Sequence, residues 1–215
     1  MIECGVLVCL DWQQSKTLPE GTYGVRFDRL HNSFSVTNHL IEFGHRSLGV
    51  FLGFKGEPDV NDHPRIRGVL KACEEGRGGG APLQIRWFDL PFFPGPEAGV
   101  AVAEEFLSIA PADRPTGMVL LNDRTAMAFI ARVQASGVRV PEDVSVVGHD
   151  DDEMSAFFPV PLTTISHPHR ALAEATAEMM HRCSVGQQGE QERLIEVRGE
   201  LRLRASTDAP SVSGK

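Results

Sequence analysis

The sequence VRVPEDVSVVGHDD, at residues 138–151, carries the pattern that decides the fold of this chain of 215 residues. A short, almost wholly apolar run at 144–148 is followed at once by polar side chains, His149 and three aspartates. Runs of this kind are typical of strands that are covered on both faces, as in a parallel sheet. In open α/β sheets, ligands bind just past the carboxyl ends of such strands. The stretch therefore predicts a buried parallel strand with a polar site at its end.

Further apolar runs and helical patterns flank this stretch in regular alternation. The runs lie at 5–10, 23–27, 48–54, 83–88 and 118–121. Helical spacing of apolar residues occurs at 33–43, 65–75, 97–109, 123–136 and 168–183, and residues 194–205 indicate two short strands. This order predicts an α/β architecture with right-handed crossovers.

Composition and charge limit the kinds of protein to which the chain can belong. The net charge of −8 gives no basic footprint of the kind that nucleic-acid-binding surfaces carry. The four cysteines form no C-x-x-C pair, which favours free thiols in a reducing compartment. The N-terminus lacks the pattern of a signal peptide, and no apolar run approaches a membrane span. We expect a soluble, cytoplasmic protein without a membrane partner.

The familiar enzyme motifs are absent from the sequence. It contains no phosphate loop, no G-x-G-x-x-G after a strand, no H-E-x-x-H and no G-x-S-x-G. We therefore expect no catalysis, no cofactor and no metal site. One alternative is a metal-dependent hydrolase that uses His149, Asp123 and the aspartates at 150–152, because carboxylates can hold Mg²⁺ or Mn²⁺. That alternative lacks an identifiable nucleophile.

Three polar groups follow strands at places where ligands bind in α/β sheets. They are Asn122 with Asp123 after the run at 118–121, Asp150 after 144–148, and Arg65 at the start of the helix after 48–54. A carboxylate only accepts hydrogen bonds, a guanidinium only donates, and an amide does both. That mixture suits a polyhydroxylated ligand.

Each of these groups also has a purely structural interpretation. Asn122 and Asp123 could cap a helix N-terminus. The aspartates at 150–152 could form a solvated turn with favourable charge at a helix start. Arg65 could be an ordinary surface arginine. Spacing alone leaves these alternatives open.

The chain resembles the LacI/GalR family of bacterial regulators. The stretch 138–151 is similar to the family's G-x-x-V-P-x-D-(I/V)-S-V-V-G-(F/Y)-D-D signature, with His149 in the aromatic place. Five more segments match in order and spacing, at 40–46, 65–68, 122–126, 161–165 and 201–207. The resemblance implies a periplasmic-binding-protein-like fold of type I, with two parallel-sheet lobes around a hinged cleft.

On this resemblance we expect a first lobe, truncated, from 1–53 plus 166–200, and a second from 54–165 plus 201–207. Residues 208–215 would form a disordered tail. The family's effector-binding positions fall on Arg65, Asn122 and Asp150. Further matches place His169 where an aromatic often stacks on the ligand, His31 on a polar position of the first lobe, and Phe92 or Phe93 near a stacking aromatic. Ordinary packing for the phenylalanines and an exposed helix start for His169 remain alternatives.

The function that the resemblance implies is the effector-binding core of a transcriptional regulator, which senses a small polar metabolite such as a sugar. Homodimerisation is expected. The family's helix-turn-helix head does not match any part of the chain, so operator DNA would be bound only through such a head in a full-length parent. A stand-alone sugar-binding protein of the transport type, which shares the fold, is the alternative.

Overall fold

The computed structural model describes residues 22–53, 63–76, 82–90, 95–120, 122–185 and 193–211. Within these residues the elements, in chain order, are β1 Gly24–Phe27, α1 Arg29–Glu42, β2 Ser47–Phe51, α2 Pro64–Glu75, β3 Gln84–Trp87, α3 Pro96–Ser108, β4 Gly117–Leu120, α4 Asp123–Ala135, β5 Ser145–Val147, α5 Glu153–Phe157, β6 Thr164–Ile165, α6 His169–Ser184, β7 Leu194–Val197 and β8 Leu201–Arg202. A short 3-10 turn at Pro111–Asp113 precedes β4. None of the helices described is long and apolar enough to cross a membrane.

A four-stranded parallel sheet forms the centre, in the order β3-β2-β4-β5. β2, β4 and β5 are almost wholly buried, because helices cover both faces of the sheet. β1 and β7 form a second, two-stranded parallel sheet, and β6 pairs with β8 in an antiparallel pair. Single bridges from Val147 to Thr163 and from Asp150 to Ser166 join the end of β5 to the β6 segment.

Each face of the central sheet has its own hydrophobic core. α1 and α2 pack on one face with Leu40 and Ile66, and α3 and α4 pack on the other, where the rings of Phe106 and Phe129 meet edge to face 5.4 Å apart. The α1–α2 contact is close: a Cβ at Gly68 would lie 2.3 Å from the Leu30 carbonyl oxygen. A third cluster joins β1 and β7 to α6.

The strands and helices confirm the predicted α/β alternation in the described part of the chain. The predicted strand at 5–10 lies outside that part. α5 and β6 had no predicted counterpart, because five and two residues are too few to show a period. Cys73 and Cys183 are buried, whereas Cys4 and Cys9 lie outside the described residues.

The strand pairing bears on the expected lobe boundaries. β2, which the sequence placed in the first lobe, pairs with β3 and β4 of the expected second lobe, and α1 packs on α2. β1 pairs instead with β7, and α6 packs on both, as expected for the first lobe. The lobe limits stay a prediction, and the pairing favours a crossing point near residue 28.

The structure describes residues 208–211 of the tail that the sequence predicts at 208–215. Within this part, Asp208 is held by hydrogen bonds to Ser145 and His45.

Candidate effector site

Asp150 lies directly beyond β5, in a backbone conformation that is uncommon for a residue with a side chain. Its φ is +122° and that of Asp151 is +58°. Non-glycine residues are held at positive φ only where the surrounding structure fixes them, and such positions concentrate at functional sites. Ion pairs from Arg204 and Arg202 to the Asp151 carboxylate fix this turn. The sequence therefore places the Asp150 carboxylate at the carboxyl edge of the sheet on a rigid turn.

Two histidines meet Asp150 in a small triangle of polar atoms. His149 Nδ1 and His167 Nε2 each lie 3.2 Å from Asp150 Oδ1, and the two nitrogens lie 3.2 Å from each other. His149 is 3% exposed. The imidazole of His167 also stacks on Phe27 of β1, with ring centroids 4.4 Å apart, so the triangle joins the central sheet to the β1–β7 sheet.

Two arginines face this cluster. Burial and the charge of Arg29 lower the pKa of Arg65, the Asp150 carboxylate opposes both, and the net result is a pKa of about 10. Burial also lowers the pKa of Arg29, again opposed by Asp150. Arg65 Nε is buried and has no hydrogen-bond partner among the described residues. A buried donor without a partner lowers the stability of the fold, because its lost hydrogen bonds to water are not replaced. It therefore marks a position where a ligand acceptor would fit.

The protonation states follow from burial and these charges. Burial, with Arg65 and Arg29 adding to it, holds the pKa of His149 well below its usual value. Burial and the neighbouring His149 lower the pKa of His167 to about 4. Burial raises the pKa of Asp150, opposed by His167 and Arg65. Both imidazoles are therefore neutral near pH 7, and each ring offers one donor and one acceptor nitrogen.

Asp123 is a buried carboxylate that supports the turn at residues 150–152. It is fully buried and accepts hydrogen bonds from Thr164 Oγ1 at 2.6 Å and from the Asp152 backbone N–H at 2.8 Å. A Cβ at Gly148 would lie 2.3 Å from Asp123 Oδ1, so the aspartate packs directly on the end of β5. Burial raises the pKa of Asp123 to about 6 despite these hydrogen bonds.

The raised pKa of Asp123 predicts a pH effect that Asp123→Asn should remove. The folded state takes up this proton more readily than the unfolded state, so its contribution to stability is full below about pH 4 and is lost as pH rises through about 6. A shift from 3.8 to about 6 corresponds to up to about 3 kcal/mol. The wild type should lose this contribution between pH 4 and 7, whereas Asp123→Asn should not. The unfolding free energy of the variant relative to that of the wild type should therefore rise by about one to a few kcal/mol over this range in urea titrations. A difference that does not change with pH would contradict this assignment.

The structure brings some predicted site residues together and places others elsewhere. Arg65 and Asp150 are close enough for the Asp150 charge to raise the pKa of Arg65. His169 begins α6 and is exposed, and its ring lies 5.8 Å from the rings of Phe27 and His167. Phe92 and Phe93 lie outside the described residues.

Asn122 and His31 lie apart from the contacts of the Asp150 cluster. Asn122 Oδ1 accepts from the Thr125 backbone N–H at 2.8 Å and caps α4, which is the structural interpretation that the sequence left open. His31 lies in the first turn of α1, near Ser35, and its charged neighbours are Arg198, Asp28 and Lys71. Among the described residues, neither hydrogen-bonds to Asp150, His149 or His167.

Sequence reasoning missed two members of the cluster, Arg29 and His167. His167 follows the apolar segment at 162–165, and only the pairing of β5 with that segment brings it to Asp150. The available signal was the sequence His167-Pro168-His169 directly after a buried strand, which is the same kind of position that singled out Asp150. Arg29 offered no comparable signal.

A parallel α/β core whose strand ends hold converging donors and acceptors defines a class of ligand-binding protein. The chain belongs to the periplasmic binding protein-like domain family, whose model matches residues 37–207. Within it, the chain corresponds to the effector-binding core of LacI-family regulators, which confirms the fold and the resemblance that the sequence indicated.

Three similar proteins illustrate the relationship. The HTH-type transcriptional repressor PurR from Photobacterium profundum is 31% identical over 200 residues, covering 93% of this chain and 56% of the relative. A LacI family transcriptional regulator from Enterococcus faecium, solved with bound ribose, superposes with a TM-score of 0.73 at 23% identity, covering 95% of this chain and 70% of that one. The Lac repressor dimer bound to operator and the anti-inducer ONPF gives a TM-score of 0.69 at 26% identity, covering 86% and 61%. The chain thus spans little more than half the length of the curated relative.

Proposed function

We propose that this chain binds a small polar metabolite, in the first place a sugar, between Arg65 and Asp150, and acts as the sensing core of a transcriptional regulator. The observation that carries the proposal is the buried Arg65 Nε, which has no hydrogen-bond partner within the described part of the chain and interacts electrostatically with the Asp150 carboxylate beyond the end of β5. A guanidinium that donates and a carboxylate that accepts can hold adjacent hydroxyl groups of one ligand.

The surrounding groups fit a neutral, hydroxyl-bearing ligand. The two neutral imidazoles add donors and acceptors without adding charge, and the Phe27 ring supplies an apolar face beside His167. Ligand pockets typically combine such an apolar wall with a few fixed polar groups. The ribose in the Enterococcus faecium neighbour supports a sugar as the first candidate.

Four further residues are included because they match effector-binding positions of the family. The proposal does not rest on contacts between them and the Asp150 cluster. His169 would lie against the ligand from the start of α6, and Phe93 would stack on it. Asn122 would contribute its amide nitrogen while its oxygen caps α4. His31 would act from α1.

Binding would alter the activity of a longer parent protein. A ligand that binds a closed cleft better than an open one shifts the equilibrium between them, and in a complete regulator this changes operator affinity. The Lac repressor neighbour is a dimer on its operator, which supports homodimerisation and operator binding through a DNA-binding head. A regulator of this kind would act in the cytoplasm. Recovery of the protein from the periplasm would instead support the transport-type alternative.

The hydrolase alternative gains little from the geometry. Both Asp123 oxygens accept hydrogen bonds, the Asp151 carboxylate pairs with Arg204, and Asp152 accepts from the Met154 backbone N–H to cap α5. Three of the four carboxylates that it would use are thus committed to the fold.

A thermal-shift screen against sugars, sugar phosphates and nucleosides tests the proposal. A ligand at 100 times its dissociation constant stabilises the folded state by about 2.7 kcal/mol, which raises the midpoint of a domain of this size by roughly 5–10 °C. We expect at least one sugar to give such a rise in the wild type but not in Arg65→Ala. A cooperative melt that no member of the panel shifts, or a hit that Arg65→Ala retains in full, would contradict the proposed site.

A further inference from the structure

We propose that His149, Asp150 and His167 form a binding site for a transition-metal ion of the Zn²⁺ type at the junction of β5 and the segment that leads to α6. This proposal does not depend on the identity of the organic effector. It departs from the expectation of no metal site, which rested on the absence of familiar motifs from the sequence. His167 lies 17 positions beyond Asp150 and meets it only in the fold.

The geometry of the three atoms carries the proposal. His149 Nδ1, His167 Nε2 and Asp150 Oδ1 form a triangle whose three sides are each 3.2 Å. A Zn²⁺ ion about 2.0 Å from each ligand in a tetrahedral site holds the ligand atoms about 3.3 Å apart. The triangle therefore has the size of one face of a zinc coordination tetrahedron.

The chemical types of the three ligand atoms determine which metal ions the site would bind. Two imidazole nitrogens and one carboxylate oxygen suit Zn²⁺, Co²⁺, Ni²⁺ or Cu²⁺, whereas Mg²⁺ and Ca²⁺ prefer sites made wholly of oxygen ligands. Arg29 and Arg65 face the cluster and oppose a cation. Only a metal that gains most of its affinity from imidazole would bind against these charges. Three protein ligands leave a fourth position open for water or for a ligand atom.

The rigid surroundings favour a preformed site. Asp150 is held at positive φ and is bridged to Ser166, while the Phe27 ring packs against His167. His149 is buried at the end of β5. Preorganised ligands lose little conformational entropy when the metal binds. The same distances would also suit two imidazole N–H groups that donate to one carboxylate oxygen, so the experiment must separate a metal site from a hydrogen-bonded triad.

Zinc and cobalt titrations of the full chain make this separation. Tetrahedral Co²⁺ absorbs visible light strongly and octahedral Co²⁺ absorbs weakly, so a site of this geometry should give intense bands at one equivalent. We expect Zn²⁺ to displace the Co²⁺ and to raise the melting midpoint, whereas Mg²⁺ does neither. His167→Gln should weaken Zn²⁺ binding at least about tenfold, as does loss of groups that support a metal site.

Two further variants keep the test decisive. His149→Phe retains a planar ring in the buried position but removes a ligand nitrogen, and it should also lose the Co²⁺ bands. His181→Gln removes an exposed histidine at the end of α6 and should bind Zn²⁺ as the wild type does. The metal-free melts of all three show whether each variant folds. Absence of a Co²⁺ spectrum in the folded wild type, or equal loss of affinity in His167→Gln and His181→Gln, would overturn the proposal and leave a hydrogen-bonded triad.

Discussion

Asp150→Ala is expected to weaken binding of the organic effector by at least about tenfold, because a hydrogen bond to a charged group contributes about 1.5–3 kcal/mol. In the proposed site the Asp150 carboxylate would accept from the ligand, and its charge raises the pKa values of Arg65 and Arg29. Its removal leaves the mutually repelling charges of Arg65 and Arg29 without this carboxylate. Isothermal titration with the best ligand of the screen measures the loss directly.

Two variants distinguish loss of binding from loss of the fold. Alanine at position 150 must adopt a φ of +122°, which disfavours it, whereas asparagine tolerates positive φ better than most residues. Asp150→Asn should therefore melt close to the wild type and still bind more weakly, because it lacks the charge. Asp113→Ala, on an exposed turn, should bind as the wild type does. Undiminished affinity in a folded Asp150→Asn and Asp150→Ala would contradict the role of this carboxylate.

The largest loss of stability is expected for Phe129→Ala. The Phe129 side chain is fully buried in α4 and packs against Phe106 of α3 and against the central sheet. Removing a buried phenylalanine ring typically costs 3–5 kcal/mol, about 6–20 °C in the melting midpoint for a domain of this size. Phe157→Ala provides a matched control, because that ring is 77% exposed and its loss should change stability by no more than about 0.5 kcal/mol. Similar melting midpoints for the two variants would contradict the described core.

The fold was predictable because burial on both faces leaves a strong trace in the sequence. Continuous apolar runs marked β2, β4 and β5, and amphipathic periods marked the helices that cover them. The lobe boundary was harder to place, because the chain passes from one sheet to the other between β1 and α1 without any break in composition. Only strand pairing shows that β1 joins β7 whereas β2 joins β3 and β4.

The site was predictable only in part, for a related reason. Residues that follow buried strands could be recognised, so Arg65 and Asp150 were singled out, but their meeting depends on tertiary structure. Asn122 shows the limit of such reasoning, since the same residue type at a helix start serves as a cap. His167 was missed because its partner Asp150 lies 17 positions away along the chain.

A crystal structure of the full chain with the best ligand of the screen tests whether that ligand lies between Arg65 and Asp150. We expect ligand density beyond the carboxyl ends of β4 and β5, with a ligand oxygen within hydrogen-bond distance of Arg65 Nε and a ligand hydroxyl on the Asp150 carboxylate. Ligand density elsewhere on the chain, with Arg65 Nε still lacking a partner, would contradict it.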